Sequence, residues 1–358
     1  MTSKSNPKNL ILAPELTADR VDGILKQYGF QDIRRADRNL QNLAGDPPLR
    51  EAFANIVVDL LRAIADAPDA GAALNNFERF AAVTFDRLWL YHLLDDAPFL
   101  LSMLATCFGS STYFSDILVR NPKYFDELID ASVMDAPKDR EAMYHELSQS
   151  VRLSNSVEAK LNARRRYKRK ESLRVGLHDL LDDTDIETTT QELTNLAEVT
   201  LQLCYEVGTA ELAAKFGTPL GEIPNGERVP STFVVIAMGG FGGYELNLSS
   251  DIDVMFVYSH DGQTDRGIEN TQYFARLAEF IINGMSKVTS AGYVFRVDVR
   301  LRPESSVGVI IRSIDSYEAY YEGWGEIWER QALIKACPVA GDLKLGNQFI
   351  QTIQPFVY

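Results

Sequence analysis

Asp251 and Asp253 are separated by a single residue and lead into an apolar run that ends at Tyr258. In a strand successive side chains point to opposite faces, so the two carboxylates share one side while Ile252, Val254 and Phe256 take the other. Carboxylates this close repel each other and are stable together when a cation lies between them. A third candidate, Asp298, lies 45 residues after Asp253. Residues 293–302 alternate Phe295, Val297, Val299 and Leu301 with Arg296, Asp298, Arg300 and Arg302. One carboxylate among three arginines suits a site that holds metal ions and phosphate oxygens together. Arginine offers a fork of donors for phosphate, and hard oxygen ligands with phosphate as co-ligand favour Mg²⁺. The chemistry such a triad can perform is in-line displacement at phosphorus assisted by two metal ions.

The elements that must position these residues surround them in the chain. Residues 233–238 form an apolar run that reads as a buried strand, followed by a glycine-rich turn at Gly239, Gly240, Gly242 and Gly243. Backbone amides of Gly239 and Gly240 can approach a phosphate with no side chain in the way, and the Ser250 hydroxyl is placed to donate to a phosphate oxygen. Residues 217–230 read as a loop into the first strand, and residues 259–267 as a turn-rich connection after the second. Phe274, Leu277, Ala278, Ile281, Ile282, Met285 and Val288 then follow helical spacing. That helix is expected to lay its apolar stripe on the sheet and leave the aspartate-bearing side open, giving a mixed strand–helix–strand unit.

The 358 residues allow about two domains, and the hydrophobic fraction of 46% is ordinary for a water-soluble fold. A net charge of −14 argues against general nucleic-acid binding, which requires a basic surface. Three scattered cysteines fit a reducing cytoplasm, and no apolar run reaches the length of a membrane span. Residues 1 to 20 read as a poorly ordered start. Helical spacing follows to about residue 150, with segments near 74–82, 84–94 and 97–107, a break at Gly109, and a loop over 130–139. The positive cluster at 158–174 contains Lys160, Arg164, Arg165, Arg166, Lys168, Arg169, Lys170 and Arg174. It reads as a solvated helix face, with phosphate or an acidic partner as its functional alternative. Asp315 with Glu318 has capping-box spacing. Tyr317, Tyr320, Tyr321, Trp324 and Trp328 fall near helical spacing and suit packing on the catalytic module, with base stacking as the alternative. The final residues stop in mid-pattern, as expected of a fragment of a longer chain.

Strand, Gly-Gly, ten residues, Asp-x-Asp, helix and a strand bearing a third Asp resemble the nucleotidyltransferase superfamily related to DNA polymerase beta. Three stretches narrow the likeness: residues 242–253 (Gly-Gly-Tyr-Glu-Leu-Asn-Leu-Ser-Ser-Asp-Ile-Asp), 295–303 (Phe-Arg-Val-Asp-Val-Arg-Leu-Arg-Pro) and 328–336 (Trp-Glu-Arg-Gln-Ala-Leu-Ile-Lys-Ala). They resemble the bacterial glutamine synthetase adenylyltransferase/deadenylylase family, from about Phe108 onward. Glu245-Leu246-Asn247 resembles the N-terminal, deadenylylating module of its two tandem catalytic modules.

The resemblance implies an α+β chain: a helical N-terminal region (1–155), a polymerase-beta-like domain with a mixed sheet and flanking helices (156–340), and the start of a further helical segment (341–358). It implies phosphorolysis of AMP–tyrosine on adenylylated glutamine synthetase, releasing ADP, with two Mg²⁺ or Mn²⁺ ions on Asp251, Asp253 and Asp298. Gly239, Gly240, Ser250, Arg300, Arg302, Arg330 and Lys335 are the candidate phosphate and nucleotide contacts. ADP or ATP, inorganic phosphate and the PII signalling protein are the implied partners. ATP-dependent adenylylation, or a docking role without catalysis, are the alternatives. Two positions depart from the family pattern, with Gly240 standing for Lys and Cys337 for Arg.

Overall fold

A computed structural model describes residues 6–13, 16–129, 136–181, 184–222, 226–305 and 307–358. The chain divides into two compact units, one of residues 1–136 with 176–184, the other of residues 137–175 with 185–358. The second unit includes residues 137–155 and 341–358.

The first unit is helical. Its principal helices are Ile33–Ala44, Leu49–Asp66, Ala70–Val83, Arg87–Asp96, Phe99–Ser110 and Thr112–Arg120. Asp32, Asp69, Asp86 and Ser111 cap four of these by accepting a backbone N–H three residues on. Phe53, Val57, Leu60 and Ile64, one face of Leu49–Asp66, are fully buried. The chain start is more ordered than its composition suggests: Asn9–Leu12 makes a helical turn with Leu10 and Ile11 buried. Most of the expected loop at 130–139 lies outside the described residues.

The second unit is built on a five-stranded mixed sheet. β3 (Phe233–Met238) lies between antiparallel β4 (Ile252–Tyr258) and β8 (Cys337–Gly341). The free edge of β4 is shared by two short parallel strands, β6 (Val297–Asp298) and β7 (Ile311–Ser313). Alternation along β3 and β4 creates two apolar faces. Phe233, Val235, Ala237, Val254 and Phe256 pack against the long helix Ile186–Phe216 and the helix Asn270–Ser286. Val234, Ile236, Met238, Met255 and Val257 pack against Ile314, Tyr317, Tyr321, Leu333 and Phe349 from three C-terminal helices: Ile314–Gly323, Ile327–Leu333 and Leu343–Val357. Asp253 belongs by period to this second face, at the end those helices leave uncovered.

Three expectations need correction here. The glycine- and proline-rich stretch before β3 is not simply a loop. It contains β1 (Pro219–Glu222) and β2 (Arg228–Pro230), which join β5 (Gly262–Thr264) in a separate antiparallel sheet. The helix Asn270–Ser286 ends before Val288, which is exposed. Ser313, not Asp315, caps the helix Ile314–Gly323, its hydroxyl accepting from the Ser316 amide.

The basic cluster is also not a solvated face. Arg164, Arg165, Lys168 and Arg174, on the helix Val157–Leu180, are buried. The Arg164 guanidinium donates to the carbonyls of Thr200 (2.8 Å) and Gly284 (3.1 Å), and Arg174 donates to Glu171 and Glu192. Lys168 lies over the rings of Phe295 and Tyr293. Burial pushes its ammonium down to about 8.

Candidate active site

The site forms where β3 ends. Met238, its last residue, is paired with Asp253, and Asp253 is in parallel register with Asp298. Two carboxylates therefore sit side by side on neighbouring strands, on one face of the sheet. The chain leaves β3 through a tight turn, Gly239–Gly242. Gly239 has φ +55°, and a β-carbon there would meet the Asp253 Oδ2 at 2.7 Å, so only glycine lets this carboxylate lie against the turn.

The charges are unequally compensated. Asp298 is clasped by Arg300, whose Nε reaches Oδ1 and Oδ2 at 3.0 and 2.8 Å while its backbone N–H donates to Oδ1 at 2.8 Å. The hydrogen bonds from Arg300 hold this carboxyl below the usual range. Asp251, just before β4, pairs with the Arg296 guanidinium. Asp253 has no such partner among the described residues. Burial first, then the charges of Asp298 and Asp251, push its carboxyl up to about 6.

Because two of the three carboxylates are turned to arginines, among the described residues no three acidic, imidazole or thiol groups converge into a ready-made metal cage. The donor set still fits a hard divalent cation. It is carboxylate-only, and its central member, Asp253, has no ion-pair partner among the described residues.

The remaining candidates fall into three groups. Lys335 reaches the glycine turn: its ammonium bridges both carboxylate oxygens of Glu245 at 2.7 Å, and its carbonyl would lie 2.1 Å from a β-carbon at Gly242. Ser250 sits beside Asp251, but its hydroxyl accepts from the Asn247 amide and closes the local turn. Arg302 and Arg330 are used elsewhere. The expected strand ends at Asp298, where the Asp298 side chain captures the Arg300 amide in an Asx-type turn and breaks the alternation. Arg302 is thereby withdrawn from the aspartate face and donates to the carbonyls of Val299, Gly308 and Val309. Arg330 lies over the Phe356 ring, and Glu329 beside it caps its own helix through the Glu326 amide. Sequence reasoning missed the Glu245–Lys335 bridge. No local window reveals a pairing between residues 90 positions apart.

Two positions of the glycine turn, Gly240 and Gly242, behave differently. A β-carbon at Gly240 would meet nothing closer than the Glu245 carbonyl at 3.7 Å, an ordinary contact. At Gly242 it would strike the backbone carbonyls of Lys335 and Ala237, at 2.1 and 2.9 Å. Gly242→Ala is therefore expected to lower stability by about 2 kcal/mol or more, whereas Gly240→Lys leaves the melting temperature nearly unchanged. Equilibrium denaturation of both variants checks the contrast; equal losses would contradict it.

The chain is similar to known proteins over most of its length. Residues 101–352 match the family model described as glutamate-ammonia ligase adenylyltransferase. Similar curated proteins carry the name bifunctional glutamine synthetase adenylyltransferase/adenylyl-removing enzyme. The one from Thioalkalivibrio sulfidiphilus is 29% identical over 95% of this chain and 36% of its own length. Those from Pseudomonas aeruginosa and Streptomyces avermitilis are 34% and 31% identical, over 86% and 98% of this chain and 30% and 35% of their own lengths. The chain thus spans about a third of the length of these relatives. Among the described residues no helix is long and apolar enough to cross a membrane.

Proposed function

This chain belongs to the glutamate-ammonia ligase adenylyltransferase family, and on that premise we propose that its second unit removes AMP from adenylylated tyrosine of glutamine synthetase by phosphorolysis. Asp253 and Asp298, in register beside the glycine turn, are the observation that carries the reading. Inorganic phosphate attacks the adenylyl phosphorus, a new P–O bond forms, and the bond to the tyrosyl oxygen breaks. The phenolate leaves with the electron pair and takes a proton from solvent, giving ADP and free tyrosine. Asp251, Asp253 and Asp298 would hold Mg²⁺ or Mn²⁺, which neutralises charge on the adenylyl phosphate and on the departing phenolate. Backbone amides of the Gly239–Gly242 turn face the phosphate, and Arg296 and Arg300 stand at the rim with donors for its oxygens.

Two observations favour this direction over adenylylation from ATP. Adenylylating a tyrosine requires a base for its phenol. Asp298 accepts hydrogen bonds from Arg300 on both oxygens, so it is poorly placed to take a proton. Phosphate is already an anion and needs no base. The Glu245-Leu246-Asn247 wording supports the same direction.

The test is to incubate the chain with adenylylated glutamine synthetase, Mg²⁺ and phosphate. Phosphate-dependent release of ADP is the expected result. Consumption of ATP by unmodified glutamine synthetase, with no ADP formed from the adenylylated form and phosphate, would reverse the assignment.

A further inference from the structure

Beyond the carboxylates, the aspartate-bearing side of the second unit has a cavity of about 640 Å³ at the β7 edge of the sheet. Glu304, Arg312, Ser316, Tyr320, Trp324 and Glu326 line it. Arg312 is paired with Val257 in parallel register, as Asp298 is with Asp253 on the same strand. Residues 253 and 257 differ by an even number, so Arg312 and the catalytic carboxylates project from one face. Four residues of strand separate the two places by roughly 13 Å along the sheet.

Several features of this cavity are unexplained by packing. The Trp324 indole is 79% exposed, although tyrosines of the preceding helix are buried in the sheet-facing core. The Arg312 Nε is buried and meets no acceptor among the described residues, although the guanidinium is ordered by Glu304 at 2.8 Å and lies over the Tyr320 ring. Buried polar atoms are normally satisfied, so an orphaned donor on a residue that lines the cavity calls for a reason. The loop that brings Glu304 to the cavity has two consecutive non-glycine residues in the left-handed region, Glu304 at φ 61° and Ser305 at φ 52°. Such strain persists where surroundings impose it and concentrates at ligand sites.

The geometry points to this cavity as the site of the adenine ring of the adenylyl group, with Trp324 as its stacking platform and Arg312 and Glu304 as its hydrogen-bonding edge. This inference deepens the proposed reaction and rests on it for the identity of the base. An aminopurine presents both ring acceptors, suited to the Arg312 guanidinium, and an exocyclic N–H, suited to a carboxylate oxygen. A tyrosyl ring esterified to phosphate has no N–H or O–H to offer Glu304 or Glu326. The two carboxylates also make this end unsuited to phosphate, which orients the nucleotide with its phosphorus toward Asp253 and Asp298.

The probes are AMP and ribose 5-phosphate, which share the phosphate and sugar and differ in the base. Calorimetric titration is expected to show AMP bound about tenfold or more tightly. Trp324→Ala should erase that advantage and leave ribose 5-phosphate binding unchanged, while Trp324→Phe keeps most of it. Because Trp324 is exposed, the melting temperature of either variant should not move. AMP binding that is no tighter than that of ribose 5-phosphate, or that survives Trp324→Ala intact, overturns the assignment. So does p-tolyl phosphate gaining from Trp324 where AMP does not, which would give the cavity to the tyrosyl ring. The base site and the reaction fail separately: a parent protein that releases no ADP but keeps the Trp324-dependent preference for AMP loses the reaction and retains the site.

Discussion

Asp253→Asn is expected to abolish phosphate-dependent ADP release, by about a thousandfold or more, and at the same time to raise the melting temperature at pH 7 in the presence of a chelator. The two effects share one cause. Asp253 is half-buried between the glycine turn and Asp298, and unlike Asp251 and Asp298 it makes no direct ion pair with an arginine among the described residues. Its carboxyl is pushed up to about 6, so the folded protein holds that proton more tightly than the unfolded chain does. Stability tied to this group is therefore greatest below the unfolded value near 4 and is lost as pH rises toward 6. Above pH 6 the full penalty of a buried, repelled charge is present, and the neutral amide removes it. The gap in melting temperature between variant and parent should accordingly be wide at pH 7 and narrow at pH 5. Mg²⁺ should raise the parent's melting temperature by mass action and leave the variant's nearly unmoved. A variant less stable than its parent at pH 7, or one stabilised by Mg²⁺ equally, would show that Asp253 is a packing residue.

Much of this site is legible in the sequence because its geometry is local. Met238, Gly239 and Asp253 are brought together by one antiparallel pairing whose strands announce themselves as apolar runs. The period of two puts Asp253 opposite the face that Phe274, Leu277 and Ile281 cover, as the helical spacing of those residues implies. Legibility ends where a side chain competes with the backbone pattern. Residues 293–302 alternate cleanly, yet the Asp298 carboxylate takes the Arg300 amide and stops the strand after two residues. Arg302 then becomes a brace for its own loop. The separate sheet of β1, β2 and β5 escaped for a different reason. Its strands have only three or four residues each, too few for a period to show, and they sit among turn-forming residues. The basic helix escaped because burial of charge is decided by partners far off in the chain, such as Lys138 for Glu171.

That helix supplies the second large effect. Glu171→Ala is expected to destabilise the protein by about 3–5 kcal/mol, read as a drop in the denaturation midpoint without a change in slope. Glu171 is fully buried, and its two oxygens accept from Lys138 Nζ at 3.0 Å and Arg174 Nε at 2.8 Å. Arg174 turns its other edge to Glu192, which also accepts the Lys138 backbone amide at 2.8 Å. Lys138 continues to Glu146 at 2.9 Å, and Glu146 accepts from the Tyr167 hydroxyl at 3.0 Å. Removing Glu171 takes one of two carboxylate partners from each of Arg174 and Lys138 and leaves an excess of positive charge away from bulk water, a cost larger than the worth of either pair. The argument has a second consequence that separates it from simple loss of packing. If stranded charge is the cause, replacing Arg174 as well should recover part of the loss, so that Glu171→Met with Arg174→Met is more stable than Glu171→Met alone. Packing loss alone would make the double variant worse by the sum of the two single losses. Since Arg164 of the same helix binds Gly284 at the end of the helix Asn270–Ser286, a loosened basic helix should also reduce ADP release, while Asp253→Asn leaves this network untouched.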